Sequence, residues 1–304
     1  MNKNITSHIS RRLTAITTVV LISLTLASCV IDYAPRDRTD FRNSKKWGKV
    51  IKENIDLDKF VSIENNAAVD IIITQGDKMK VEVEGNEKAI NAYSFTVEEE
   101  MDQETGEVYG KLVCEFVSRY DFRTPSVRLY VTMPSLKSID INGQGEVNIF
   151  DTANFTDYPL LALSIEGSGD ISAQDLQCNN LKVSIDGSGD VDIRKLECLD
   201  FTAQIYGSGD IDFRRANADN ADFNIEGSGD IDGSITTKGN IKTLSNGSGD
   251  IDLDVDCDTI SINSQGSGDI EIEGTANVLK KYRSALGGTD TKKLRAHSMI
   301  WGDE

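Results

Sequence analysis

The tetrapeptide Gly-Ser-Gly-Asp occurs six times in the second half of this chain, and its spacing constrains the fold more than any other feature. The copies stand at Gly167–Asp170, Gly187–Asp190, Gly207–Asp210, Gly227–Asp230, Gly247–Asp250 and Gly266–Asp269, in steps of 20, 20, 20, 20 and 19 residues. Aligned on this motif, apolar residues fall in columns. Two residues before the first glycine stand Ile165, Ile185, Ile205 and Ile225, then Ser245 and Ser264; two earlier stand Leu163, Val183, Ala203, Phe223, Thr243 and Ile262. Ile171, Val191, Ile211, Ile231, Ile251 and Ile270 follow the aspartate, and Ala173, Ile193, Phe213, Gly233, Leu253 and Ile272 come two further on. Period-two alternation on both sides of a glycine turn is the pattern of strand, corner, strand. A fixed period of this length predicts a solenoid. Each copy then stacks on the previous one by parallel pairing, ~4.8 Å per coil. Hairpins in a meander would let their loops vary, whereas this register is constant. The expected fold is all-β, a single-stranded parallel β-helix of two sheets with coils of ~20 residues.

The corner glycines are the candidate structural residues: Gly167, Gly169, Gly187, Gly189, Gly207, Gly209, Gly227, Gly229, Gly247, Gly249, Gly266 and Gly268. Two reasons would favour glycine there: free access to positive φ, and a corner so close to the next coil that a side chain would clash. Asp170, Asp190, Asp210, Asp230, Asp250 and Asp269 follow the corners. Their carboxylates are placed to accept backbone N–H groups freed by the turn. Degenerate copies flank the array: Ile141–Ile149, reading INGQGEVNI, and Leu286–Asp290, reading LGGTD.

The N-terminus reads as an address. Lys3, Arg11 and Arg12 precede the apolar stretch Leu13–Ala27, which is short for a membrane span and ends in Leu26-Ala27-Ser28-Cys29. That ending resembles a bacterial lipobox, which implies cleavage after Ser28 and acylation of Cys29. Loss of the leader takes the formal charge from −18 to −21. The chain then divides into a signal peptide (1–28), a polar flexible tether (29–46), a strand-rich N-terminal half (47–136) and the repeat array with a C-terminal cap (137–304). Within 47–136, DIIITQGDKMKVEVEG reads as strand, turn, strand, Asn86–Tyr93 as a helical turn or two, and YSFTVEEE with GEVYGKLVCEFV as a hairpin around Gln103–Gly106. The four remaining cysteines, Cys114, Cys178, Cys198 and Cys257, fit neither a zinc pattern nor a close-set disulfide framework. They read as buried thiols, with Cys178 and Cys198 stacked one repeat apart.

The ordered set of lipobox, AVDIIITQGDKMKVEVEGNE, VRLYVTMPSLKSIDINGQGEVNI and serial Gly-Ser-Gly-Asp turns resembles the putative auto-transporter adhesin, head GIN domain family of bacterial envelope proteins. The resemblance spans roughly Asp58 to Ala296 and departs at the last copy, where Gly287–Asp290 replaces the motif. It implies a right-handed β-helix similar in shape to pectin lyases, without their catalytic residues, and a role in adhesion.

Fifty acidic against 32 basic residues argue against nucleic-acid binding, which needs a basic surface. Two histidines, His8 and His297, leave no imidazole metal cluster. No cofactor is expected. The leading expectation is a non-catalytic envelope lipoprotein: held to the membrane by its lipid, at the outer membrane with surface or periplasmic exposure, and binding a protein or a glycan. A polysaccharide-active enzyme is a second reading, but a catalytic site should interrupt the repeat, and steps of 20 and 19 leave no room for a long inserted loop. Calcium binding by the carboxylate ladders is a third. The basic segments Lys280–Arg283 and Lys292–Arg295 read as counterweights to the acidic coils, and Trp47 and Trp301 as covers for the two ends.

Overall fold

The computed structural model describes residues 47–103, 105–117, 126–282 and 288–302. The N-terminal part contains β1 (Val50–Ile55), β2 (Ser62–Asn65), β3 (Val69–Gln75), β4 (Lys80–Asn86), the helical turn α1 (Glu87–Ile90), β5 (Tyr93–Met101), β6 (Val108–Phe116) and β7 (Val127–Met133). The array continues with β8 (Ser138–Ile141), β9 (Val147–Phe155), β10 (Leu161–Ile165), β11 (Ile171–Cys178), β12 (Asn180–Ile185), β13 (Val191–Glu197), β14 (Asp200–Ile205) and β15 (Ile211–Ala218). It closes with β16 (Asn220–Ile225), β17 (Ile231–Thr237), β18 (Asn240–Ser245), β19 (Ile251–Ser264), β20 (Ile270–Lys281), β21 (Thr289–Asp290) and β22 (Leu294–Trp301).

The strands form a β-solenoid of about eight turns. One parallel ladder carries the strands before each corner: β8, β10, β12, β14, β16, β18 and the second halves of β19 and β20. The other carries the strands after it: β9, β11, β13, β15, β17 and the first halves of β19 and β20. The columns read from the sequence are the internal ladders. Leu163 pairs Val183, Val183 pairs Ala203 and Ala203 pairs Phe223, all buried.

From Ser138 onward, order along the chain and order along the axis coincide. The N-terminal half breaks that rule. The β2–β3 coil lies between two later coils, β6–β7 on one side and β8–β9 on the other. Strands β3 and β4, adjacent in sequence, are separated by β7, which pairs parallel with β3 and antiparallel with β4. Beyond that point both ladders turn antiparallel, through β4 and β1 on one side and β6 and β5 on the other. The outermost strands carry Lys52 and Glu53, and Glu98 to Glu100. Charged edges of this kind discourage further strand addition.

The core is packed by volume compensation. Phe201, Phe213 and Phe223 form one buried cluster with ring centroids 5.2–5.5 Å apart. Next to it in register, Gly233 pairs Phe213, and a Cβ at Gly233 would lie 2.4 Å from that ring. A large residue in one coil is thus accommodated by a small one in the next. At the far end inward isoleucine gives way to Ser245 and Ser264, and the Ser264 hydroxyl is buried with no partner.

Trp47 packs against the core at the N-terminal end, as a cover should. Trp301 does not. It stands 64% exposed on β22, which among the described residues pairs with β20 alone, so no described coil covers its other side. The thiols of Cys114, Cys178 and Cys257 are buried and that of Cys198 half-buried, with no disulfide among them. Burial pushes the Cys178 thiol up to about 12, and the Cys198 thiol upward too, with Cys178 as a second cause.

Candidate functional site

The glycine corner recurs from coil to coil along the array. None of its described glycines has a positive φ; among the described glycines that conformation belongs to Gly48, Gly106 and Gly274. Conformational freedom is therefore not the reason for glycine here. Close approach is. A Cβ at Gly187 would lie 2.0 Å from the Gly167 carbonyl oxygen, and one at Gly207 would lie 2.0 Å from that of Gly187. The same holds at Gly189, Gly209, Gly229 and Gly249, each at 1.9 Å from the carbonyl one coil back. That closeness lets the middle serine continue the ladder: Ser188 N–H donates to Gly167 O and Ser208 N–H to Gly187 O, both at 2.9 Å.

At the aspartate the side chain takes over from the main chain. Asp190 N–H donates to Asp170 Oδ1 at 3.0 Å, Asp210 N–H to Asp190 Oδ1 at 2.9 Å and Asp230 N–H to Asp210 Oδ1 at 2.8 Å. Asp250, Asp269 and Gly288 continue the series at 2.7, 2.6 and 2.7 Å. The donor is in each case the N–H of the next coil, not of the same turn. Each carboxylate therefore staples two coils, and its motif position follows from the coil spacing. The degenerate copies join in, since Gly167 packs on the Gly143 carbonyl and Gly288 caps the carboxylate of Asp269. Gly287 and Cys29 lie outside the described residues.

Sequence reading missed one member. Asp70 is the same column's residue in the β2–β3 coil, and its Oδ1 accepts Glu146 N–H at 3.4 Å. It follows Ala67-Ala68-Val69 instead of Gly-Ser-Gly. The clash is always with the coil on the N-terminal side, and the glycines stacked on this corner are Gly143 and Gly145, over the Ala67 and Val69 carbonyls. The surviving signal was the Asp-Ile pair followed by alternation in VDIII. Burial raises the Asp70 carboxyl.

Beside the corner runs a second column, Asp192, Asp212, Asp232, Asp252 and Glu271, in direct register. Unit charges ~5 Å apart repel by about 1 kcal/mol in water. Partial burial, then its neighbours Asp212 and Asp252, push Asp232 up to about 6; Asp212 and Asp252 are raised for the same kinds of reason. Lys293 closes the column, 3.0 Å from Glu271 and 3.3 Å from Glu273. Among the described residues no group of three or more His, Cys, Asp or Glu side chains is arranged to hold a metal ion. Chemically this face is a comb of equivalent carboxylates, with the corner column already committed as acceptors. It presents a negative, rigid wall and no unique acid–base pair.

The model of the putative auto-transporter adhesin, head GIN domain family matches residues 59–236 and 231–300. The chain belongs to that family. Solved structures similar to this head GIN chain show the same fold. One is a putative adhesin from Bacteroides fragilis, 21% identical, covering 74% of this chain and 97% of that one with a TM-score of 0.60. Another, from Parabacteroides distasonis, is described as a putative lipid binding protein; it is 16% identical, with 83% and 97% covered and a TM-score of 0.57. A putative adhesin from the same species is 16% identical, with 84% and 97% covered and a TM-score of 0.53. No curated protein matches the chain. Membership suggests a cell-surface or envelope location, and no helix among the described residues is long and apolar enough to cross a membrane.

Proposed function

We propose that this head GIN protein is a lipid-anchored envelope module that binds through its solenoid walls without catalysis, as an adhesin. The observation that carries this reading is the continuity of the array. Corner after corner repeats with its carboxylate engaged, so the acidic wall offers a long rigid contact surface but no singular reacting group. Anchoring is through Cys29, with residues 29–46 as a tether that lifts the domain off the membrane. The partner is a protein or glycan that is neutral or cationic where it meets the wall; nucleic acid does not fit a chain of net charge −18.

A deletion strain, complemented either with the wild-type gene or with Cys29→Ala, tests this. The wild-type protein should fractionate with membranes, be shaved from intact cells by protease, and restore attachment to a substratum. The Cys29→Ala protein should be released and should not restore attachment. Attachment unchanged by the deletion would overturn the adhesin reading, and unaltered fractionation of Cys29→Ala would overturn the anchor.

A further inference from the structure

The solenoid wall has one place where register, backbone conformation and side-chain chemistry all depart from the repeat. Between β9 and β11 the pairing shifts, so that Phe150 and Asp151 stand opposite the single residue Gln174. A bulge of this kind re-aims the side chains around it. Asp151 is the non-glycine residue with positive φ among the described residues, at 61°. Aspartate tolerates this conformation better than most residues, but still at a cost, and such outliers gather at binding sites.

Over the bulge lies an open groove of about 500 Å³, in the size range of small-molecule sites. One wall is fixed: Gln75 donates to the carbonyls of Pro134 and Asn154, which uses both amide hydrogens, and accepts Asn154 N–H at 2.8 Å. Two of the remaining lining groups are unspent. The Gln174 and Asp151 side chains make no hydrogen bond or ion pair within the protein among the described residues. Arg194 Nη2 sits 2.8 Å from Asp175 Oδ1 but points no N–H along that line, so this buried oxygen lacks an aligned donor. Phe150 stands next to two lining residues, directly before Asp151 in the chain and in register with Thr74, and is half-buried on the outward face.

We infer that this groove binds a neutral saccharide unit, a pyranose packed on Phe150 with its hydroxyls taken up by the Gln174 amide and the Asp151 carboxylate. The inference rests on the adhesin reading above and names its ligand class. An aromatic face beside a free amide and a free carboxylate suits a ring with an apolar C–H face and a rim of vicinal hydroxyls, each able to donate to a carboxylate and accept from an amide N–H. Anionic sugars are disfavoured, because Arg194 is already paired and the Asp170, Asp190 and Asp192 carboxylates stand on the neighbouring positions of the same coils.

The test titrates the full chain, in detergent, with gluco-, manno-, galacto- and xylo-hexaoses, with polygalacturonate as the anionic comparison, read by calorimetry and saturation-transfer NMR. At least one neutral hexaose should bind saturably. Phe150→Ala and Gln174→Ala should each weaken it by about tenfold or more at unchanged thermal midpoint, while Arg214→Ala, one coil away, should not. Should Phe150→Ala not fold, Asp151→Asn and Gln174→Ala read the same site. Binding of no neutral hexaose, equal binding by the groove variants, or binding of polygalacturonate alone would overturn the inference. The attachment assay keeps the two proposals apart. Cells that attach normally with Phe150→Ala, with no hexaose bound, would remove the groove and leave the adhesin reading; wild-type cells that gain no attachment would remove that reading whatever the hexaoses do.

Discussion

A single corner couples its first glycine and its aspartate to the coil spacing, and each can be tested alone. Gly207→Ala places a methyl 2.0 Å from the Gly187 carbonyl oxygen, backbone that cannot step aside without opening the ladder. A loss of about 3 kcal/mol, at the upper end for overpacking, is expected in denaturant titration. Asp210 accepts Asp230 N–H through Oδ1 at 2.8 Å. Asp210→Asn keeps an acceptor and removes one charge from a repulsive column, so it should be neutral or slightly stabilising. Asp210→Ala leaves an N–H unmet and should cost about 1 kcal/mol. The same two variants scanned with calcium and with chelator discriminate capping from metal binding. A calcium-dependent rise in midpoint that vanishes in Asp210→Asn would contradict capping, because an amide oxygen is the weaker ligand.

At the scale of strands, stability comes from matched volumes across neighbouring coils. Phe223 lies at the centre of the three-ring cluster, stacked on Phe213 and edge-on to Phe201. Phe223→Ala should cost about 3–5 kcal/mol, as for other buried phenylalanines; a loss below about 1 kcal/mol would mean the coil collapses around the cavity. Gly233→Ala tests the reciprocal side, since its methyl must displace the Phe213 ring. It should be destabilising in the wild type and milder when Phe213 is also made leucine, a non-additivity read by a double-mutant cycle.

Across the whole molecule the acidic columns set the response to pH and salt. Asp232 and Asp140 both have folded-state values near 6, Asp140 chiefly through burial. The ordinary aspartate value is about 3.9. The folded state thus holds these protons more tightly than the unfolded chain, which favours folding at low pH. That contribution is present in full below about pH 4 and is lost as pH rises through about 6. The thermal midpoint should fall over this interval, by on the order of a few degrees. Asp232→Asn should raise the midpoint at pH 7 and flatten the profile, and added salt should narrow the gap between pH 5 and pH 7 by screening the column. A midpoint that rises between pH 5 and pH 7 in both proteins would show that other groups dominate.

The periodic part of this protein was written in its sequence. A constant twenty-residue step, alternation on both flanks and glycine at the corner leave few ways to bury the apolar columns except by stacking one coil on the last, so Leu163 to Phe223 could be placed inside without coordinates. Only the tertiary structure decided matters that depend on what lies one coil away. The corner glycines answer to a carbonyl 20 residues back rather than to their own φ, and the carboxylates staple the next coil. Asp70 belongs to the column although Glu146, its partner, is 76 residues distant. The N-terminal half shows the same limit. Nothing local in DIIITQGDKMKVEVEG tells β3 from half of a hairpin, because hydrophobic alternation fixes which face of a strand is buried and not which strand lies beside it. The insertion of β7 between β3 and β4, and the bulge at Phe150–Asp151, arise from that choice of neighbours.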